Sequence, residues 1–175
     1  MQLSVDSSLN KLIILFVFDK METPLSENTV LDMCCSANNW VSYMDCQPTI
    51  NTLKEVGWIS RINNTLTEPL YSITPDGRVC LANFFVKIPA SLREEITVFI
   101  KQNKLKYRKK QERTADYFKN KDGTYTVFLK IIEPTGPLME LKFVVASRKV
   151  AKDIYKKWEE KASSLYSILY DSLVD

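Results

Sequence analysis

The sequence predicts an α+β chain built in two parts, and three observations carry that reading. A helix-period segment from Asp45 passes through a Gly57 turn into alternating strand sequence at Trp58–Ile62 and Leu70–Ile73. Strand-like sequence on both sides of Asp122-Gly123 and of Glu133–Pro137 implies a three-stranded antiparallel meander. A continuous apolar stripe then runs from Val150 to Leu173, the mark of one long amphipathic helix. The first part is expected over residues 1–87 and the second over 88–175, divided at Ile88-Pro89.

In the first part, Leu9, Leu12, Ile13, Phe16 and Val17 recur at three- and four-residue spacing. They predict a helix ending near Met21, before Thr23-Pro24, with Asp6, Ser7 or Ser8 available as its N-cap. Ser26 is placed to cap a second helix from Glu27 to about Ser36, with Val30, Leu31, Cys34 and Cys35 inward, and Asn38-Asn39 breaks it. Asp45 suits the N-cap of a third helix, with Pro48 in the first turn, where a missing amide has no intrahelical partner to lose. Cys46, Ile50 and Leu53 then point inward at i, i+4 and i+7, leaving Gln47, Pro48, Asn51, Thr52, Lys54 and Glu55 outside.

After the strand Trp58–Ile62, Asn63-Asn64-Thr65 make a turn, since asparagine tolerates positive φ, and Leu66–Pro69 complete a short arm before Leu70–Ile73. Thr74 can cap a further helix with Pro75 at its first position. Val79, Leu81, Ala82, Phe84 and Phe85 mix two faces and predict packing on both sides of it. A helix delivered into a small β-hairpin, with another helix behind, is the plan of a winged helix-turn-helix. In that plan the helix before the hairpin enters a DNA major groove and the hairpin tip meets phosphates. Gln47, Asn51, Thr52 and Lys54 would approach base edges or adjacent phosphates, and Arg61, Asn63, Asn64 and Thr65 the backbone. Asn and Gln read adenine through paired hydrogen bonds. The plainer alternative is an exposed face filled with short polar residues.

The second part opens at Ser91-Leu92-Arg93-Glu94, a capping box, with a helix to about Gln102 on Leu92, Ile96, Phe99 and Ile100. Leu105–Phe118 reads as broken strand. A period of two would put Lys104, Lys106, Arg108 and Lys110 on one face of it, in a run that includes Lys109 and Arg113. Such a row would meet phosphate or an acidic partner, or else guard an edge strand against aggregation. Asp122-Gly123 turns into Tyr125–Ile132, and Glu133–Pro137 into Leu138–Ala146. Ser147 caps the last helix, Arg148 to Leu173, striped by Val150, Ile154, Trp158, Ala162, Leu165, Leu169 and Leu173. About 26 residues at ~1.5 Å each give a rod of roughly 39 Å, longer than three strands need. With Tyr155, Tyr166 and Tyr170 flanking the stripe, a second contact is expected, with the first part or with another subunit.

Composition narrows the function. At 45% hydrophobic and 26% charged residues, the 175-residue chain has the make-up of a folded, soluble protein. The longest apolar block, Leu12–Phe18, falls far short of the ~20 residues a bilayer requires. It lacks a basic leader and a small-residue cleavage site, so a cytoplasmic location without membrane contact is expected. Cys34, Cys35, Cys46 and Cys80 contain no C-x-x-C pair and match no common zinc spacing; they are expected as small buried residues in a reducing compartment. The chain has no histidine, which excludes Ser-His and Cys-His nucleophilic catalysis. Glu94-Glu95 and Glu159-Glu160 fall on outer helical faces, and no Walker loop, G-x-G-x-x-G or metal-ligand helix occurs. No enzymatic activity, cofactor or metal is expected.

Charge is divided unevenly. Up to Val86 there are five basic and nine acidic residues, a net −4; from Lys87 onward there are nineteen and twelve, a net +7. Phosphate neutralisation supplies much of DNA affinity, each contact adding about 0.9 to the salt slope. Lys54 and Arg61, with Lys11 a further candidate, give two or three contacts per chain, so a homodimer is expected to be needed for binding.

The run Tyr71-Ser72-Ile73-Thr74-Pro75-Asp76-Gly77-Arg78 resembles the strand-to-helix junction of bacterial winged-helix regulators of the PadR and MarR kind. A wider resemblance rests on Leu9–Leu15, Leu53–Ile59, Ile88–Ile96, Thr114–Tyr117 and Ala146–Arg148. These look like a clostridial (Firmicutes) family of winged-helix proteins of unknown function. The resemblance implies an N-terminal winged helix followed by an α+β unit, and brings no ligand or catalytic residue. The expected function is that of a DNA-binding transcriptional regulator whose second part dimerises or senses a signal, with any small-molecule effector left open. The alternative is a winged helix serving as a protein-interaction scaffold without DNA binding.

Overall fold

The computed structural model describes residues 3–62, 68–133 and 135–174, with side chains described from residue 7 onward at the start. The chain is α+β and packs as two compact units, 1–107 and 108–175.

Helix α1 (Leu3–Met21) is the axis of the first unit. Every residue from Leu12 to Phe18 is at most 4% exposed, so the helix is apolar all round because neighbours surround it. The expected stripe was therefore incomplete: Ile14, Leu15 and Phe18 are as buried as its members. The helix also begins before Asp6, Ser7 and Ser8, which lie within it and not at its cap. It ends at Glu22, whose φ of 56° is left-handed and whose amide donates to the Phe18 carbonyl at 3.4 Å.

Strand β1 (Leu25–Ser26) leads directly into α2 (Glu27–Leu31), capped as expected by the Ser26 hydroxyl, which accepts from the Thr29 amide at 3.2 Å. The helix widens into a π-helical stretch, Asp32–Ala37, where Met33, Cys34 and Cys35 are buried in succession. Asn39, at φ 54°, closes it.

Helix α3 (Tyr43–Glu55) starts earlier than expected. Ser42, not Asp45, is the N-cap: its hydroxyl accepts from the Asp45 amide at 3.2 Å and donates to the Asp45 carboxylate at 2.5 Å. Asp45 thus takes the acidic position of a capping box. Pro48 is consequently in the helix interior, where it withholds the amide that the Met44 carbonyl would otherwise receive. Cys46, Ile50 and Leu53 are buried as expected, joined by Thr49, whose hydroxyl donates to the Asp45 carbonyl.

Strands β2 (Ile59–Arg61) and β3 (Leu70–Ile73) pair antiparallel, Arg61 opposite Tyr71. The other edge of β3 takes β1, giving the order β1-β3-β2. The expected tip residues Asn63, Asn64 and Thr65, with Leu66 after them, lie outside the described residues. Thr74 caps α4 (Pro75–Phe84), accepting from the Gly77 amide at 3.1 Å and donating to the Gly57 carbonyl at 2.7 Å. The expected two-sided packing of α4 does not occur: Gly77 and Leu81 are its buried residues, while Val79 and Phe84 stay 60% and 43% exposed. A 3-10 turn, Phe85–Lys87, follows.

Helix α5 (Ala90–Glu112) contains Ser91 instead of being capped by it, and it continues through the segment expected as strand. Lys, Arg, Gln and Leu are good helix formers, and Tyr107 is held in the first core beside Phe99, ring centroids 6.0 Å apart. Ile88, Ile96, Ile100 and Tyr107 are all buried there, so the first unit extends past the division expected at Lys87/Ile88.

In the second unit β4 (Arg113–Lys119), β5 (Tyr125–Glu133) and β6 (Gly136–Val145) form the expected meander, in the order β4-β5-β6. Helix α6 (Arg148–Leu173) has the expected bounds, and its Ser147 cap accepts from the Val150 amide. Val127, Leu129 and Ile131 pack with Ala151, Trp158 and Ala162, and the Trp158 indole N–H donates to the Lys130 carbonyl at 3.2 Å. The buried line on α6 departs from the expected stripe at both ends. Ala151 takes the place of Val150, which is 44% exposed, and Leu173 is 80% exposed.

Candidate nucleic-acid interface

The four buried residues of α3 define its opposite side. There Met44, Pro48, Asn51 and Glu55 form the outermost ridge, at i, i+4, i+7 and i+11, all exposed. Met44 is 86% and the neighbouring Tyr43 71% exposed. Asn51 stands in the middle of this ridge, and no hydrogen bond to a described residue occupies its amide.

Gln47 and Lys54 are not on the ridge. Seven residues apart, they share the flank of α3 nearest α2, and both are half-buried. The Glu27 carboxylate takes a hydrogen bond from Gln47 Nε2 at 2.5 Å and an ion pair from Lys54 Nζ at 2.6 Å. The Lys54 ammonium also lies 5.2 Å from the centre of the Tyr71 ring. Burial pushes the Glu27 carboxyl up, but hydrogen bonds from Lys54, Gln47 and Tyr71 and the Lys54 charge outweigh it and hold the group below its ordinary value. Thr52 donates to the Pro48 carbonyl at 3.0 Å. The outward row of Gln47, Asn51, Thr52 and Lys54 therefore reduces to Asn51 among exposed side chains, with Thr52 at its edge. Thr52, Pro48 and Asp45 also line a shallow groove of about 200 Å³ with Asn10 and Lys11 of α1. Arg61 is exposed on β2; Asn63, Asn64 and Thr65 lie outside the described residues.

The basic run is helical, which overturns the shared face expected for Lys104, Lys106, Arg108 and Lys110. At 100° per residue, steps of two alternate between faces: Lys104 and Arg108 share one strip, Lys106 and Lys110 another. Lys104 pairs with Glu22 at 2.7 Å, and Arg108 with Glu112 at 2.7 Å. Arg113, on β4, donates to the Glu159 carbonyl at 2.9 Å and to the Ser163 hydroxyl. The two strips face different ways, so the run forms no single phosphate-binding row.

Cys34, Cys35 and Cys46 are buried together, and all four thiols are free. A hydrogen bond with Cys46, reinforced by burial, raises the Cys34 thiol; burial, then Cys46, pushes Cys35 up to about 12. No group of His, Cys, Asp or Glu among the described residues is arranged to hold a metal. No helix among them is long and apolar enough to cross a membrane.

Sequence reasoning missed Glu27, Ser42, Tyr43 and Met44. Ser42 was open to detection, since Ser42-Tyr43-Met44-Asp45 has capping-box spacing. Nothing in the sequence links Glu27 to a lysine 27 positions on. A family model described as "Domain of unknown function (DUF4364)" matches residues 10–173. No curated protein and no solved structure matches the chain.

Proposed function

The chain belongs to the DUF4364 family, whose description states no activity, and from that premise we propose that residues 1–107 act as a winged helix-turn-helix and the protein as a dimeric DNA-binding regulator. One observation carries the reading. The element order α1-β1-α2-α3-β2-β3, with the sheet order β1-β3-β2, leaves the Met44-Pro48-Asn51-Glu55 ridge of α3 exposed, beside a hairpin that carries Arg61. A helix so presented fits a major groove, and Asn51 reads adenine there. Lys11, at the groove beside Pro48, and Arg61 supply backbone contacts. A second copy doubles these few contacts, which the acidic composition of this half makes necessary.

A second reading, that of a protein-interaction scaffold, has its own support. Tyr43 and Met44 are large, apolar and exposed at the start of α3, and Lys54 is already neutralised by Glu27. Fluorescence anisotropy against a library of genomic fragments separates the two. On the regulator reading, retained fragments share a two-fold motif, and Asn51→Ala with Arg61→Ala abolishes retention. If the wild-type chain retains no fragment at low salt, the scaffold reading replaces it.

A further inference from the structure

A pocket of about 160 Å³ opens between α1, the residue leading into β2, and α4. Its apolar wall is made by Leu12, Trp58, Cys80 and Phe84. Leu12 is buried, Trp58 and Cys80 are half-buried, and Phe84 stands 43% exposed at the mouth. An engineered cavity of roughly 150 Å³ accommodates a benzene molecule, so this space suits an apolar body of about six carbons.

Beside the neutral Ser8, the charged part of the lining has one sign. Lys11 and Lys87 both border the pocket, and no Asp or Glu does. Neither lysine is ion-paired to a described residue. The Lys87 ammonium sits 4.8 Å from the centre of the Phe84 ring, which keeps its charge at the mouth. Burial raises the Cys80 thiol, and the nearby Lys11 charge offsets that rise only in part. A neutral apolar guest would leave both cations unused, and inorganic phosphate would leave the wall unfilled. An anion with a small apolar body satisfies both.

We propose that this pocket is a binding site for a small amphipathic carboxylate, its chain against Leu12, Trp58 and Phe84 and its carboxylate between Lys11 and Lys87. The pocket shares Lys11 with the groove beside Pro48 but includes no residue of the α3 ridge, so a titration without DNA reads its occupancy whether or not that ridge meets DNA.

Titration of the isotope-labelled full chain with hexanoate, hexanamide and acetate tests this by amide and indole chemical shifts. Hexanoate is expected to bind with Kd on the order of 1 mM, shifting the Trp58 indole and the Leu12, Cys80 and Phe84 amides. Hexanamide, which lacks the charge, and acetate, which lacks the chain, should each bind about tenfold more weakly. Lys11→Met and Lys87→Met should each weaken hexanoate several-fold and leave hexanamide unchanged. Since Lys87 lies on the surface, its variant serves even if Lys11→Met fails to fold. Equal binding of hexanoate and hexanamide, shifts that map elsewhere, or no saturable shift with hexanoate would each overturn the proposal.

Discussion

The Glu27 carboxylate holds the Lys54 ammonium at 2.6 Å, tying the first residue of α2 to the last turn of α3. Both groups are 27% exposed, so solvent screens the pair only in part. The same carboxylate receives Gln47, so Glu27 occupies both polar side chains on that flank of α3.

Glu27→Gln should lower stability by about 1–2 kcal/mol, the roughly 1.5–3 kcal/mol of hydrogen bonds to a charged group reduced by partial solvent screening. The shift is read from the urea midpoint at neutral pH. On the regulator reading the same variant frees Lys54, so DNA affinity rises and the salt slope steepens by about 0.9 per chain. An unchanged midpoint would show that the pair contributes nothing.

The pH dependence has a definite sign. Glu27 is held below its ordinary value of 4.5, so the folded state favours the charged form. Its contribution is present above the unfolded pKa and is lost as pH falls through the folded one. The gap in urea midpoint between wild type and Glu27→Gln should therefore be constant from neutral pH down to about 5 and narrow below it. A gap that widens on acidification contradicts the assignment.

Gly77 is required for space, not for a special backbone angle. A Cβ there would stand 2.2 Å from the Trp58 carbonyl oxygen and 2.9 Å from Ile73 Cγ1. That carbonyl cannot retreat freely, because the Thr74 amide donates to it at 2.9 Å. Alanine would gain ~1 kcal/mol of helix propensity, but the clash with backbone outweighs it. Gly77→Ala should be destabilising by about 1–3 kcal/mol in thermal or urea unfolding.

On α6 the prediction contrasts two neighbours of the apolar stripe. Trp158→Ala removes a ring that is 2% exposed and should cost about 3–5 kcal/mol. Val150→Ser, at a position 44% exposed, should stay within about 0.5 kcal/mol. Equal losses at the two positions would mean that the stripe, and not the burial pattern, governs the helix.

Several elements were legible because their determinants are local. Ser26, Thr74 and Ser147 each accept from an amide three residues on, so cap and helix start are written within four consecutive residues. The bounds of β3 and α6, and the meander around Gly123 at φ 88°, follow from the same short-range signals. At the candidate site, the burial of Cys46, Ile50 and Leu53 was readable from spacing, and with it the outward side of α3.

The sequence by itself thus determined which residues form most of the helices and strands, and which side of α3 faces inward. Tertiary structure decided the rest. Only packing surrounds α1 on every side, adds β1 to β3, and buries Tyr107 of α5 in the first core. Only packing joins Glu27 to Lys54 and Glu22 to Lys104, across 27 and 82 positions. Hydrophobic periodicity averages over one element and so reports which side of it is dry. The partner of a single charge depends on a distance between two elements, and that distance exists only once the chain has folded.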